Sequence, residues 1–340
     1  MERGIKTKII RASALLLVLG VFLMAQAQSE LLPEPSAFFI ELAPSDSPGP
    51  NENITASLSG FSFDLNRANI TWVKNGRVET KGLGLVRYDF RTGEAGEKIS
   101  LQVVATDANG IRHDAGIAFT VAGVDLLWRA DTYTPAWYFG KKLPSPRSGV
   151  TVSALPRLIS GGKKISSRSL IFRWTLDDAF KENQSGAGKD VFRFTASPVS
   201  DIAHEVLLEV SSVDGEIKAK KKISIGVRDP QVAIYEDDAL TGTKTGFALK
   251  EGGESLALAG EEKNFRAVPF FFSLNRGLEN LEYLWRVNGQ SIDSGDSPNI
   301  LRFRPSSDAS GRASLEVLIK NLANILQEAG QNFSVNVLPR

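Results

Sequence analysis

The sequence predicts an all-β chain of three tandem antiparallel β-sandwiches behind an N-terminal export signal. Three observations lead there. Trp72, Trp174 and Trp285 each sit in an apolar, strand-like run, and they lie 102 and 111 residues apart, about one small domain each. A turn and a set of further strands follow each Trp at matched distances. The chain has 340 residues, too many for one ordinary core and comfortable for three of about 100 residues.

The elements follow in order. The basic stretch Arg3 to Arg11 precedes a 12-residue apolar run, Ala14 to Ala25, and then Ala25-Gln-Ala27. That is the pattern of a cleaved signal peptide over residues 1–27. The run is short of the roughly 20 residues a spanning helix needs; an uncleaved N-terminal anchor is the alternative and would be the only membrane attachment. No Cys follows the run, which excludes a bacterial lipoprotein anchor. Residues 28–36 read as a flexible lead.

The first module is expected over 37–123. It opens at Ala37-Phe-Phe-Ile-Glu-Leu42, turns through Pro44 to Pro50, and continues with the alternating strand Ile54 to Leu58. The Trp72 strand runs into Asn75-Gly76, the strongest hairpin dipeptide. Leu85 to Phe90, Ile99 to Ala105 and Ile117 to Val121 follow.

The second module, 124–229, has its turn at Asp177-Asp178, then Val191 to Phe194, Glu205 to Val210 and Lys222 to Val227. Its pattern is looser than that of the other two. The third, 230–340, repeats the script of the first: Trp285, Asn288-Gly289, Ile300 to Phe303, Ala313 to Ile319 and Phe333 to Val337. An aromatic lies 18 residues after the Trp in the first and third modules (Phe90, Phe303). The closing strand is centred 47, 51 and 50 residues after each Trp (Phe119, Ile225, Val335). Such spacing marks repeats of one sandwich. Leu315, Leu318, Ile319, Leu322, Ile325 and Leu326 also fit a helical stripe. Position in the repeat favours a strand up to Lys320, with a helical turn expected within Asn321 to Gln331.

Composition bounds the function. Apolar content of 42% and charge of 23% are globular values. The net charge of +1 includes +3 in the first 27 residues, so the body is −2. A near-neutral body gives no electrostatic case for nucleic acid as a partner. With no Cys there are no disulfides, no thiol catalysis and no thiolate metal sites, and each module must be held by its core. An exported β-array without cysteine leans towards a bacterial origin.

Chemistry-bearing residues are sparse. His113 and His204 fall in different modules, one in a turn-rich segment and one entering a strand, and read as surface or edge positions. Asp177-Asp178 and Asp237-Asp238 read as turn chemistry; no calcium-loop run of acids is present. Lys218-Ala-Lys-Lys-Lys222 reads as a protected sheet edge. The sequons at Asn53, Asn69, Asn183 and Asn332 would be silent in a bacterium. No catalytic residue, cofactor site or metal site is expected. The densest aromatic stretch, Leu126 to Phe139, makes Tyr133, Trp137 and Tyr138 the candidate binding surface, as a stacking platform for sugar or a protein docking patch. The alternative is that these rings cover a domain joint.

Tyr283-Leu-Trp285-Arg-Val-Asn-Gly289 and the segment Ala95 to Gly110, with its Asp107-Ala-Asn-Gly110 turn, resemble bacterial immunoglobulin-like modules of the PKD (polycystic kidney disease repeat) type. There a strand Trp is followed by a turn, and a Gly-led strand ends in an Asp-x-x-Gly-like turn. The resemblance covers most of 37–340 as three Ig-like/PKD-like copies, although the Asp-Phe-Gly-Asp-Gly turn of that family is missing from all of them. It implies a non-enzymatic spacer, adhesion or assembly module on an exported protein. The expected function is a structural or adhesive role at the bacterial cell envelope or surface, extracellular or periplasmic, with protein or glycan as partner. An accessory subunit of a pilus or secretion assembly and a carbohydrate-binding module are the alternatives.

Overall fold

Strict alternation builds the sheets. In Lys98–Thr106, Ile99, Leu101, Val103 and Ala105 are buried while the residues between them are exposed or half-buried; a pleated strand sends successive side chains to opposite faces. The same pattern recurs through the computed structural model, which describes residues 38–60, 62–273 and 278–340. The signal segment 1–27 and the lead 28–36 lie outside the described residues. Among the described residues there is no α-helix, only strands and short 3-10 turns.

The first sandwich comprises β1 (Phe38–Ala43), β2 (Asn53–Gly60), β3 (Asn69–Lys74), β4 (Arg77–Leu83), β5 (Arg87–Arg91), β6 (Lys98–Thr106) and β7 (Arg112–Thr120). Its sheets are β1-β2-β5 and β4-β3-β6-β7. The second comprises β8 (Gly123–Ala130), β9 (Gly149–Arg157), β10 (Ile159–Ser160), β11 (Lys163–Lys164), β12 (Leu170–Leu176), β13 (Ala179–Phe180), β14 (Gly186–Ala187), β15 (Val191–Thr195), β16 (Ala203–Ser212) and β17 (Lys218–Gly226). Its sheets are β15-β9-β8 and β13-β12-β16-β17, with β14 also paired to β12, beside the two-stranded β10-β11.

The third comprises β18 (Gln231–Asp238), β19 (Gly242–Thr243), β20 (Gly253–Leu258), β21 (Lys263–Phe270), β22 (Leu281–Val287), β23 (Gln290–Ile292), β24 (Ile300–Phe303), β25 (Gly311–Asn321) and β26 (Glu328–Leu338). Its sheets are β19-β18-β21-β24 and β20-β26-β25-β22-β23. In every set the two opening strands pair with a late strand, and the Trp strand lies inside the other sheet beside the closing hairpin. That order is immunoglobulin-like.

By compactness the described chain divides into two units. One holds β1, Thr55–Phe90 and Ser100–Ile117; the other holds Pro44–Ile54, Arg91–Ile99 and Ala118–Arg340, so the second and third sandwiches belong to one body.

The three tryptophans do the same work. Each indole is at most 1% exposed, and burying a ring of that size contributes roughly 4–6 kcal/mol of apolar transfer. The buried N–H needs an acceptor, and each finds a backbone carbonyl beyond the hairpin: Trp72 to Leu85 at 2.8 Å, Trp174 to Lys189 at 2.9 Å, Trp285 to Pro298 at 3.0 Å. A ladder of rings continues from two of them. Trp72, Tyr88 and Phe90 stack in the first sandwich, and Trp174, Phe192 and Phe194 in the second. Leu301 and Phe303 occupy the corresponding strand positions of the third.

The residue three places after each Trp opens a two-residue turn. Asn75-Gly76 (φ 49° and 78°), Asp177-Asp178 (49° and 61°) and Asn288-Gly289 (49° and 80°) all hold two positive φ values, as type I′ turns require. Each first side chain accepts a hydrogen bond from an N–H across the sheet: Asn75 Oδ1 from Ser100, Asp177 Oδ1 from Glu205 and Asn288 Oδ1 from Ser314, at 2.8–2.9 Å. The second module is therefore as regular as the others. It looked looser because Asp-Asp replaces Asn-Gly, and Asp tolerates the left-handed region through the same local hydrogen bonding.

Other expectations need correction. No helical turn forms within Asn321 to Gln331: β25 runs to Asn321 and β26 starts at Glu328. Leu322 and Ile325 of the supposed stripe are exposed, and the loop is shaped by Asn321 Oδ1 accepting from Ala323 N–H and Asn324 Oδ1 from Leu326 N–H. The periodic reading also leaves β9 and β20 unassigned. β20 pairs parallel to β26, from Gly253 opposite Phe333 to Leu258 opposite Leu338, a long-range pairing that local patterning does not announce.

Candidate functional site

The segment between β8 and β9, residues 131–148, carries the aromatic candidates, and its backbone explains where they go. Tyr133 N–H donates to Phe272 O and Phe271 N–H donates to Tyr133 O, both at 2.7 Å, and Thr132 forms a bridge with Ser273. The loop thus pairs with the end of β21. Phe271 is held at φ 65°, a conformation that is a steric outlier for a bulky residue and survives only where its surroundings enforce it.

The rings follow the backbone. Trp137 meets Tyr235 edge-on at 6.3 Å and 90°. Tyr138 meets Phe270 at 5.4 Å and Phe271 at 6.0 Å, both near perpendicular. Burial raises the Tyr133 phenol, and burial pushes the Tyr283 phenol up to about 12, with Tyr133 adding to the effect. Tyr133, Trp137 and Tyr138 are therefore joined to the third sandwich, while Trp137 stays 39% exposed. Sequence shows ring density and not which rings find internal partners. Phe139 alone in the run is fully exposed, at 100%.

Beneath the rings lies a buried polar network. Gln327 Oε1 accepts from Ser273 N–H (2.8 Å), Ser273 Oγ (3.0 Å) and Asn321 Nδ2 (2.8 Å). Its Nε2 donates to Ser145 Oγ (2.8 Å) and Pro146 O (2.9 Å). Asn324 Nδ2 adds a bond to Pro146 O at 2.9 Å. Gln327, Asn321, Ser273 and Ser145 are all buried. Fully satisfied networks of this kind specify one geometry, because any displacement leaves polar groups unpaired at about 1–3 kcal/mol each.

The remaining candidates have structural partners. His204 is buried, not at the surface: its Nδ1 faces Asp177 Oδ2 at 2.7 Å and its Nε2 accepts from Ser197 N–H at 2.8 Å. Burial pushes the Asp177 carboxyl up, but the bonds from His204 and the Glu205 N–H outweigh it and hold the group below its usual range. His113 stacks on Phe63 at 4.0 Å. Asp237 is engaged by Arg266 and Thr243, and Asp238 caps the turn at Leu240 and Thr241. Lys218 to Lys222 lie on edge strand β17, where Lys220 pairs with Glu209 and Lys222 with Glu205. Among the described residues no group of three or more His, Asp or Glu could hold a metal ion, and no helix is long and apolar enough to cross a membrane.

Sequence reasoning missed one feature. A groove of about 800 Å³ lies beside the same 131–148 segment, lined by Trp128, Arg129, Asp131, Lys141, Lys142, Thr151, Arg193 and Thr195 among others. Arg129 and Arg193 flank Thr151 on neighbouring strands, which places their Cα atoms about 10 Å apart across three strands. Lys141 Nζ sits 3.3 Å from the centre of the half-buried Trp128 ring. Desolvation there holds the Lys141 ammonium below the usual lysine range. Arg129 and Arg193 are 64 residues apart in sequence, so only strand pairing brings them together.

No protein-family model matches the chain, and no curated protein matches it. Solved structures with related folds include the central fibronectin-III array of RIM-binding protein, at 10% identity, covering 88% of this chain and 96% of that one with a TM-score of 0.31. The three N-terminal domains of the highly immunogenic outer capsid protein of bacteriophage RB49 share 12% identity over 89% of this chain and 100% of that one, TM-score 0.24. A glucan-utilisation protein of Bacteroides ovatus, SGBP-B in complex with a mixed-linkage heptasaccharide, shares 12% identity over 91% of this chain and 70% of that one, TM-score 0.21.

Proposed function

We propose that this chain is a non-enzymatic, exported structural or adhesive protein of the bacterial cell envelope or surface, built of PKD-like modules over 37–123, 124–229 and 230–340. The observation that carries the reading is the joint around Gln327. It combines paired backbone, interlocked rings and a satisfied buried network across the seam between two sandwiches. A loose linker would suffice to tether independent binding domains; a locked joint suits a module that must hold a spacing. The signal-like pattern of residues 1–27 supports export, and the buried tryptophans stabilise modules that have no cysteine for disulfides.

The test is expression of the complete chain, tagged at its C-terminus, in a bacterial host, followed by fractionation, N-terminal sequencing and counting of cells retained on beads carrying the purified protein. The expected result is a mature chain starting near Gln28, outside the cytoplasm, that retains cells above a blank bead. A full-length chain confined to the cytoplasm, or beads no better than blank, would overturn the reading.

A further inference from the structure

We infer that the groove beside Trp128 binds an acidic polysaccharide through its carboxylate or sulfate groups. The inference deepens the adhesive reading by naming a ligand class. Four cations, Arg129, Lys141, Lys142 and Arg193, line the groove against one carboxylate, Asp131. The Arg129, Lys142 and Arg193 side chains make no hydrogen bond or ion pair with any described residue. This sets them apart from the other basic cluster of the same sandwich, where Lys220 and Lys222 are matched by Glu209 and Glu205. The body as a whole is slightly acidic, so a local excess of three positive charges is a feature of this groove and not of the surface at large.

The chemistry of the lining selects the ligand. Two guanidinium groups on either side of the Thr151 hydroxyl present planar donor forks to a carboxylate or sulfate. Thr151, Thr195 and Asp131 offer the acceptors and hydroxyls that sugar hydroxyl groups use. The volume lies within the range of pockets that hold small ligands, enough for a few sugar units. Lys141 rests on the Trp128 face, so an acidic group arriving in the groove meets an ammonium already stripped of part of its water, where a charge pair is stronger than in bulk solvent.

The test uses the full chain and three probes measured by isothermal titration: polygalacturonate for carboxylate, dextran sulfate for sulfate, and neutral dextran. The expected result is salt-sensitive binding of at least one acidic polymer and none of dextran, the tighter polymer identifying the acid group. Arg129→Gln with Arg193→Gln should weaken it by about a hundredfold at unchanged melting temperature, since each lost charged contact is worth about a factor of ten. Lys142→Gln, on the exposed loop, provides a second variant and should weaken binding in the same direction. Lys163→Glu with Lys164→Glu, exposed on β11, should leave it unchanged. Failure of both acidic polymers to bind, equal loss in the Lys163/Lys164 variant, or equally tight binding of duplex DNA would each overturn the inference. None of these outcomes touches export or cell retention, which are read in the separate experiment above.

Discussion

Gln327 Nε2 donates to Ser145 Oγ across 2.8 Å although 182 residues separate them in the chain. The bond closes a network in which the glutamine amide serves Ser273 and Asn321 on one side and Ser145 and Pro146 on the other. Gln327→Leu keeps the volume and removes every one of these bonds. It should cost about 1–3 kcal/mol for each polar group left buried and unpaired. Hydrogen exchange at the Tyr133 and Phe271 amides, which pair across the same seam, should accelerate while exchange in the Trp174 strand stays slow. Unchanged exchange at both amides would show that the network does not hold the joint.

The tryptophans should be locally essential. Trp72→Ala should cost about 3–5 kcal/mol from lost burial and the cavity left behind. By calorimetry the transition of the unit containing Trp72 should fall, while that of Ala118–Arg340 stays in place. Trp174→Phe removes the indole N–H together with part of the ring: it orphans the Lys189 carbonyl, at about 1–3 kcal/mol, and adds the cost of the cavity left behind. A uniform downward shift of all melting would contradict modular stability.

The turns three residues beyond each Trp should respond alike. Asn75→Ala and Asn288→Ala each force alanine to a φ of 49° and remove the bond to the facing N–H. Each should lower stability by about 1–2 kcal/mol, from the left-handed penalty and the lost hydrogen bond. Asp177→Asn keeps the acceptor for Glu205 N–H but turns its amide N–H towards His204 Nδ1, whose proton is fixed by Nε2 accepting from Ser197, and should cost about 1–3 kcal/mol through that contact. Denaturant midpoints for the three variants give the comparison directly.

Acid should loosen the third sandwich through Glu236. Burial pushes this carboxyl up, but Lys263, Ser255 and Lys244 outweigh it and bring it from 4.5 down to about 2. A carboxyl depressed in the folded state contributes stability that is present above its unfolded value and lost as pH falls through the folded one. Allowing for solvent screening of a partly exposed group, that contribution is on the order of 1–2 kcal/mol. Glu236→Gln should be less stable than the parent at pH 7, and the gap should shrink as pH is lowered from 4.5 towards 2. A gap independent of pH would refute the assignment.

Local pattern carried most of the fold. Alternation over a few residues names a half-buried strand, and Asn-Gly or Asp-Asp after a Trp names a hairpin, because both depend on neighbours in sequence. That is why the strands around Trp72, Trp174 and Trp285 were legible, and why the turn at Asp177 obeys the rule even where its letters differ. The strand up to Lys320 was legible too; only the helical turn expected beyond it failed, because a local period cannot tell a buried face from one that Leu322 and Ile325 leave in solvent.

The sequence by itself determined the class of protein: β-sandwich modules in tandem, held by cores without cysteine. Tertiary structure decided which residues share a surface. It placed Tyr133, Trp137 and Tyr138 against Tyr235, Phe270 and Phe271, so the aromatic stretch became a seam. It set β20 parallel to β26. It brought Arg129 and Arg193 to either side of Thr151, so cations scattered along the chain became one groove. Secondary structure follows from interactions a few residues long, whereas a site is a meeting of residues from distant strands. Strand pairing and sandwich packing alone choose which of those residues meet.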